Sequence, residues 1–421
     1  MRDQKKKNGL EDYKMATVVG TMGREVRVLS LVSTGHFMSH YSQLILPPLF
    51  IMMAPHFGVG FAAMGLIMTL LNMSGALAQI PVGFLVDRVG AKWILIIGLF
   101  MKTFGLGAMA FTDTYWILLV LAVFAGLGHS VFHPTDYAIL MSSVDEKRIG
   151  RAFSIHTAAG NAGTLMAPLV AAFFLTTQWG WKGAIFSVAI LGAVAGIAML
   201  AQSGTLQDHA GRKKGKPKES VSVSDGLRML IQPQMLILYM FFCITAMATV
   251  GLNNFIHAGL VTAHGIDEIS AAAALSAYAG GGLIGVLLGG WLADKASNHN
   301  KQAALAFFIG AVLTILAGLY SLPHAALIIM FGLIGVMLGV VKPARDMMVK
   351  QITPEGQAGK TYGFMSNGHF VGAAISPVLM GVVMDAGKPS WVFFIAAGFM
   401  VISILTLLNP PKAKPAKGTP D

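Results

Sequence analysis

The chain has 421 residues, of which 55% are hydrophobic and only 12% charged, and its mean hydropathy is +0.67. Those values exclude an ordinary soluble domain, in which about a quarter of residues are charged, and point to a protein embedded in a bilayer. The formal charge of +11 lies in short runs such as Lys5–Lys7 and residues 212–218, with no aromatic-interleaved basic domain around them. Anionic lipid headgroups, and no nucleic acid, are the expected partners of that charge.

Twelve apolar stretches follow one another, at about 28–54, 60–86, 92–111, 115–143, 150–176, 182–202, 233–263, 269–292, 300–320, 323–350, 356–385 and 389–409. Each is long enough to cross a hydrocarbon core as a helix, and the alternating pattern of a membrane barrel is missing. Backbone groups at that depth have no water to bond, so the stretches must be helical and the class is all-α and polytopic. The basic start of the chain leads into no short apolar core with a cleavage site, so the first stretch is expected to remain as an anchor. Cys243 is the sole cysteine, which excludes an internal disulfide.

The first stretch places His36, His40 and Gln43 at i, i+4 and i+7, on one helical face. Between the second and third lies "GFLVDRVGAK" (83–92), and Lys102 sits near the centre of the third. The fourth contains "GHSVFHPTDYAIL" (128–140), where His129, His133 and Asp136 again share a face. His40 and His129 are expected near mid-membrane, with His36 and His133 one turn away and level with each other. Pro134 lacks an N–H and is expected to kink the helix there, as Pro343 is expected to kink the tenth stretch. Asn253, Asn254 and His257 are the polar candidates of the seventh stretch. Lys342 and Arg345 are spaced i, i+3 in the tenth, around Pro343. Isolated histidines such as His156 and His369 are read as equally well explained by a hydrogen bond to a neighbouring helix.

A polar break at 203–232 separates six stretches from six. "GRAFSIHTAAGNAGTLMAP" (150–168) matches "GKTYGFMSNGHFVGAAISP" (359–377) 209 positions later, and Pro134 falls on Pro343 at the same offset. "GFLVD" (83–87) falls on "GWLAD" (290–294) 207 positions later. The chain therefore divides into a tail (1–27), a six-helix bundle (28–202), an interdomain loop (203–232), a second bundle (233–409) and a tail (410–421). Of 30 Lys and Arg residues, 25 fall on the side that holds both termini, so both termini are expected in the cytoplasm.

Two parallel six-helix repeats resemble the major facilitator superfamily. The stretch 83–92 is similar to that family's loop motif, with Gly83, Asp87, Arg88 and Gly90 in place and Ala91 where a basic residue is usual; Asp294 alone remains in the second copy. "GLGHSVFHPTDYA" followed by "AAGNAGTLMAPLVAA" is similar to the fosmidomycin-resistance type of efflux protein, with His129 and Asp136 departing from its pattern. The resemblance implies a bacterial inner-membrane carrier, expected to be monomeric, whose first, fourth, seventh and tenth helices line a central cavity. It also implies a gating role for Asp87 and, less directly, Asp294.

Intramembrane ionisable groups are costly to keep and mark function. The histidines and Asp136 suit proton coupling, and Lys342 with Arg345 suit an anionic substrate. The expectation is a proton-coupled secondary transporter, symporter or antiporter, of a small anionic or amphiphilic compound, with export favoured. One alternative is import of a metal or anionic chelate on His36, His40, His129 and His133; another is a transport-dead receptor or scaffold. Asp136 is further expected to pair with Arg345 across the bundles when the cytoplasmic side closes. No ATPase-type phosphate loop is present, so neither an enzyme nor a cofactor is expected.

Overall fold

The structure, a computed structural model, describes residues 2–145, 148–206, 232–296, 298–353 and 358–408. Most of the expected interdomain loop and all of the expected carboxy-terminal tail lie outside the described residues, as does the side chain of Asp87.

The described residues form helices and no strand. The first bundle comprises α1 (Arg2–Leu44), α2 (Leu46–His56), α3 (Phe61–Val89), α4 (Lys92–Ala108), α5 (Tyr115–His129), α6 (Phe132–Ser143), α7 (Ile149–Leu175) and α8 (Gly180–Ala201). The second comprises α9 (Pro233–His264), α10 (Glu268–Lys295), α11 (His299–Leu319), α12 (His324–Ile352), α13 (Ala358–Asp385) and α14 (Trp391–Leu408). Ten of the expected spans are long and apolar enough to cross a membrane; α1 with α2, and the shorter apolar α14, make up the other two. Large apolar side chains cover the outer face, with Ile80 72% and Phe84 65% exposed, as a lipid-facing surface requires.

Two expected spans are each built from two helices. The first breaks at Ile45, ahead of Pro47 and Pro48, and its leading helix extends back to Arg2. The fourth breaks at Ser130 and Val131, because Pro134 can give Ser130 no amide hydrogen bond. The break expected at Pro134 is therefore present, whereas α12 runs unbroken through its repeat mate Pro343.

Small residues set the closest helix contacts. A Cβ at Gly163 would collide with the backbone of Phe37 on α1, and one at Gly372 with the carbonyl of Cys243 on α9.

One end of the molecule, the near end, holds the starts of α7 and α9 and the turn between α3 and α4; the far end holds the turns at 57–60, 265–267 and 386–390. The extensive contacts between bundles are α3 with α13, α7 with α10, and α2 with α9. They lie in the far half: Thr69 donates to the Ala374 carbonyl at 2.6 Å, and Phe50 meets Phe255 at 5.8 Å. The bundles thus close at the far end and part toward the near end, leaving a cleft between them.

Candidate functional site in the cleft between the bundles

The break in the fourth span swings α6 against α1, α4 and α7 and distributes its polar residues over different surroundings. His133 and Tyr137 remain exposed and stack at 6.4 Å. His40 is half-buried, and its Nδ1 lies 3.2 Å from Thr164 Oγ. His36 is buried, with its ring 4.8 Å from His40 and 5.7 Å from His133. The structure thus brings the His36 and His133 rings side by side.

His129 corrects the expectation of a common cavity face. Its Nδ1 is 2.8 Å from the Lys102 ammonium and 3.2 Å from Ser39 Oγ, and Lys102 also donates to the Ser39 carbonyl at 2.5 Å. Lys102 is fully buried, so its helix presents it to the bundle and not to lipid. With its Nδ1 beside an ammonium, His129 is a poor ligand for a dication, and the four-histidine metal set proposed from spacing is not assembled.

Asp136 is also misplaced by the sequence reading. It is completely buried, with Oδ2 3.4 Å from His36 Nδ1 and 3.5 Å from His156 Nε2. Arg345 instead engages its neighbour Asp346 at 3.1 Å and lies 4.3 Å over the Phe242 ring. The Asp136–Arg345 pair, expected only with the near end closed, is absent in this arrangement, which is parted there; Asp136 lies among α1 and α7 and Arg345 is held on its own bundle.

On the opposite wall, Lys342 is exposed, and among the described residues no hydrogen bond or ion pair holds its ammonium. It is near enough to His40 for the two to interact across the cleft. His369 of α13 lies within the field of Lys342 and Arg345, a third member of this group that its isolated position in sequence hid. Gln43 is half-buried and donates to Asn72 at 2.7 Å. Asn253 is half-buried. Asn254 and His257 are buried in the second bundle, bonded to the carbonyls of Val250 and Glu268, and so belong to its packing.

In the loop motif, Gly90 has φ +90° and ends α3, a conformation that side chains rarely adopt. Gly83 faces open space, and Arg88 and Asp294 are exposed.

The chain matches the Major Facilitator Superfamily over residues 32–325 and 242–421. It is 25% identical to the uncharacterized MFS-type transporter YfnC of Bacillus subtilis, covering 92% of this chain and 93% of that protein. It is 23% identical to the fosmidomycin resistance protein of Escherichia coli (91% and 92%) and 22% to that organism's membrane sensor protein UhpC (82% and 83%). Among solved structures, an inward-facing, unoccupied bacterial homologue of the human lysosomal transporter Spinster superposes with TM-score 0.75 at 16% identity, covering 91% of this chain and 95% of that one. A mutant form of the nucleoside transporter NupG also gives 0.75, at 14% identity over 91% and 98%. The chain belongs to the major facilitator superfamily, and is a membrane transport protein and not an enzyme.

Proposed function

We propose that this chain is a proton-coupled secondary transporter that moves a small anionic or amphiphilic compound by alternating access. The observation that carries this reading is the exposed Lys342 ammonium on the second bundle, unpaired among the described residues, together with the exposed His133 and half-buried His40 on the first. A carboxylate, phosphate or phosphonate would give Lys342 the partner it lacks, with Arg345 and His369 beside it. His133, at the cleft surface, is placed to exchange protons with water. Export is favoured because a relative carries a resistance name.

The near end is assigned to the cytoplasm, since Arg24, Arg27, Arg88, Arg148 and Lys295 lie there and Lys182 and Lys388 lie at the far end. The setting is a bacterial inner membrane, with lipid as the surrounding partner and a monomer as the working unit. A receptor reading is kept because one relative is named a membrane sensor.

Purified protein in proteoliposomes separates these readings. An imposed pH gradient should drive flux of an anionic solute in wild type, and His133→Ala should abolish that dependence while the protein still inserts. Binding of the solute without gradient-driven flux would favour the receptor.

A further inference from the structure

The strongest unexplained feature of the molecule is a buried cluster at the junction of α1, α6 and α7. Among the described residues, His36 Nδ1, both carboxylate oxygens of Asp136, and both ring nitrogens of His156 are buried without a hydrogen-bond partner. Buried polar atoms are almost always bonded, so five orphans in one place need an explanation. The side chains of His36, Asp136 and His156 are only 7%, 0% and 2% exposed, so bulk water does not satisfy them.

The distances indicate what does. At 3.4 and 3.5 Å, the two imidazole nitrogens are too far from Asp136 Oδ2, or too poorly aligned, to hydrogen-bond it. They match the edge of a tetrahedron around a zinc-like ion, whose bonds of about 2.0–2.2 Å set donor atoms roughly 3.3–3.6 Å apart. One donor atom from each residue lies within 4.8 Å of the others, so a closure of the two imidazole nitrogens toward each other, their rings now stacked at 3.9 Å, completes three ligands. Gly160 lets the His36 ring pack closely against α7, since a Cβ there would come within 2.5 Å of His36 Cδ2 and 2.9 Å of His40 Cδ2. Two imidazoles and one carboxylate form a borderline donor set that suits Zn²⁺, Co²⁺ or Ni²⁺ and not Ca²⁺ or Mg²⁺.

We infer that His36, Asp136 and His156 form a binding site for one divalent first-row transition-metal ion inside the first bundle, tying α1, α6 and α7 together. The site lies behind the cleft wall and does not depend on the transport reading. Lys102 is not a competitor for these ligands, because its ammonium is directed to Ser39 and His129.

The test uses the full chain carrying a tag free of histidine, stripped with chelator and titrated with Co²⁺. Wild type should take up one Co²⁺ per chain with the intense visible bands of four-coordinate cobalt, displaced by Zn²⁺. Asp136→Asn and His156→Gln should each weaken uptake at least ten-fold, while His129→Gln should leave it unchanged. If a ligand variant fails to fold, X-ray absorption on the wild-type cobalt protein should count two imidazole nitrogens with oxygen in the remaining positions. No stoichiometric uptake by wild type, uptake that survives Asp136→Asn, or a shell with three or more imidazoles would overturn the assignment.

Discussion

The carboxylate of Asp385, at the end of α13, accepts hydrogen bonds from the backbone N–H groups of Phe61 at 2.6 Å and Ala62 at 2.9 Å. It thereby caps α3 from the opposite bundle. The α3 N-cap position is Gly60, which has no side chain to offer, whereas α10 at the same end is capped by its own Asp267. A helix start that must borrow its cap from the other bundle is capped only while the bundles stay closed at the far end.

Asp385→Ala should therefore favour opening of the far end. A charged cap is worth about 1 kcal/mol at an exposed site, roughly a five-fold change in the ratio of the two states. Spin-label distances between the start of α3 and the end of α13, measured in a Cys243→Ser background, should shift toward longer values. An unchanged distribution would show that apolar packing alone holds this end shut.

Lys342 and Arg345 should contribute unequally to substrate binding. Arg345 already has Asp346 and the Phe242 ring, while Lys342 has no ion pair among the described residues. Lys342→Gln should weaken an anionic ligand by roughly ten- to hundred-fold, the scale of one charge-assisted hydrogen bond, and Arg345→Gln by less. Calorimetry with an anionic ligand and its neutral analogue checks this, because an equal loss for both would count against an anion site.

The Lys102–His129 contact should behave as a coupled buried pair. His129→Leu removes an acceptor from a fully buried ammonium and should cost about 1–3 kcal/mol of stability. Adding Lys102→Met should recover part of that loss, because an apolar pair leaves no group unsatisfied. Thermal unfolding of the two single variants and the double variant supplies the cycle; strictly additive losses would argue against coupling.

At the far end, a hydrogen bond from His56 and then one from Lys182 hold the exposed Asp113 carboxyl below its ordinary value. A depressed carboxylate contributes stability that is complete above its unfolded pKa, near 3.8, and is lost as pH falls through the lower folded value. The tie between α2 and α8 should accordingly persist at pH 5 and loosen only in stronger acid. Asp113→Asn should remove that acid-dependent step, followed by cross-linking between the ends of α2 and α8. The change in overall unfolding temperature should be small, because the pair is exposed to solvent.

Much of the architecture was legible in sequence because a bilayer leaves the backbone few choices. Uninterrupted apolar runs must be helices, and the recurrence of Gly150, Gly163 and Pro168 at Gly359, Gly372 and Pro377 shows that one six-helix plan is used twice. The break at Pro134 followed from a missing N–H. What spacing could not fix was rotation and partner. The break at Ser130 and Val131 lies between His129 and Asp136, so residues that one continuous helix would have aligned face Lys102 in one case and His156 in the other. Lys102, His156, His369 and Asp385 each gain meaning only from residues on another helix, far away in the chain. Hydropathy specifies that a helix is buried in the membrane, but the packing of side chains between helices decides which polar groups meet, and only the tertiary structure contains it.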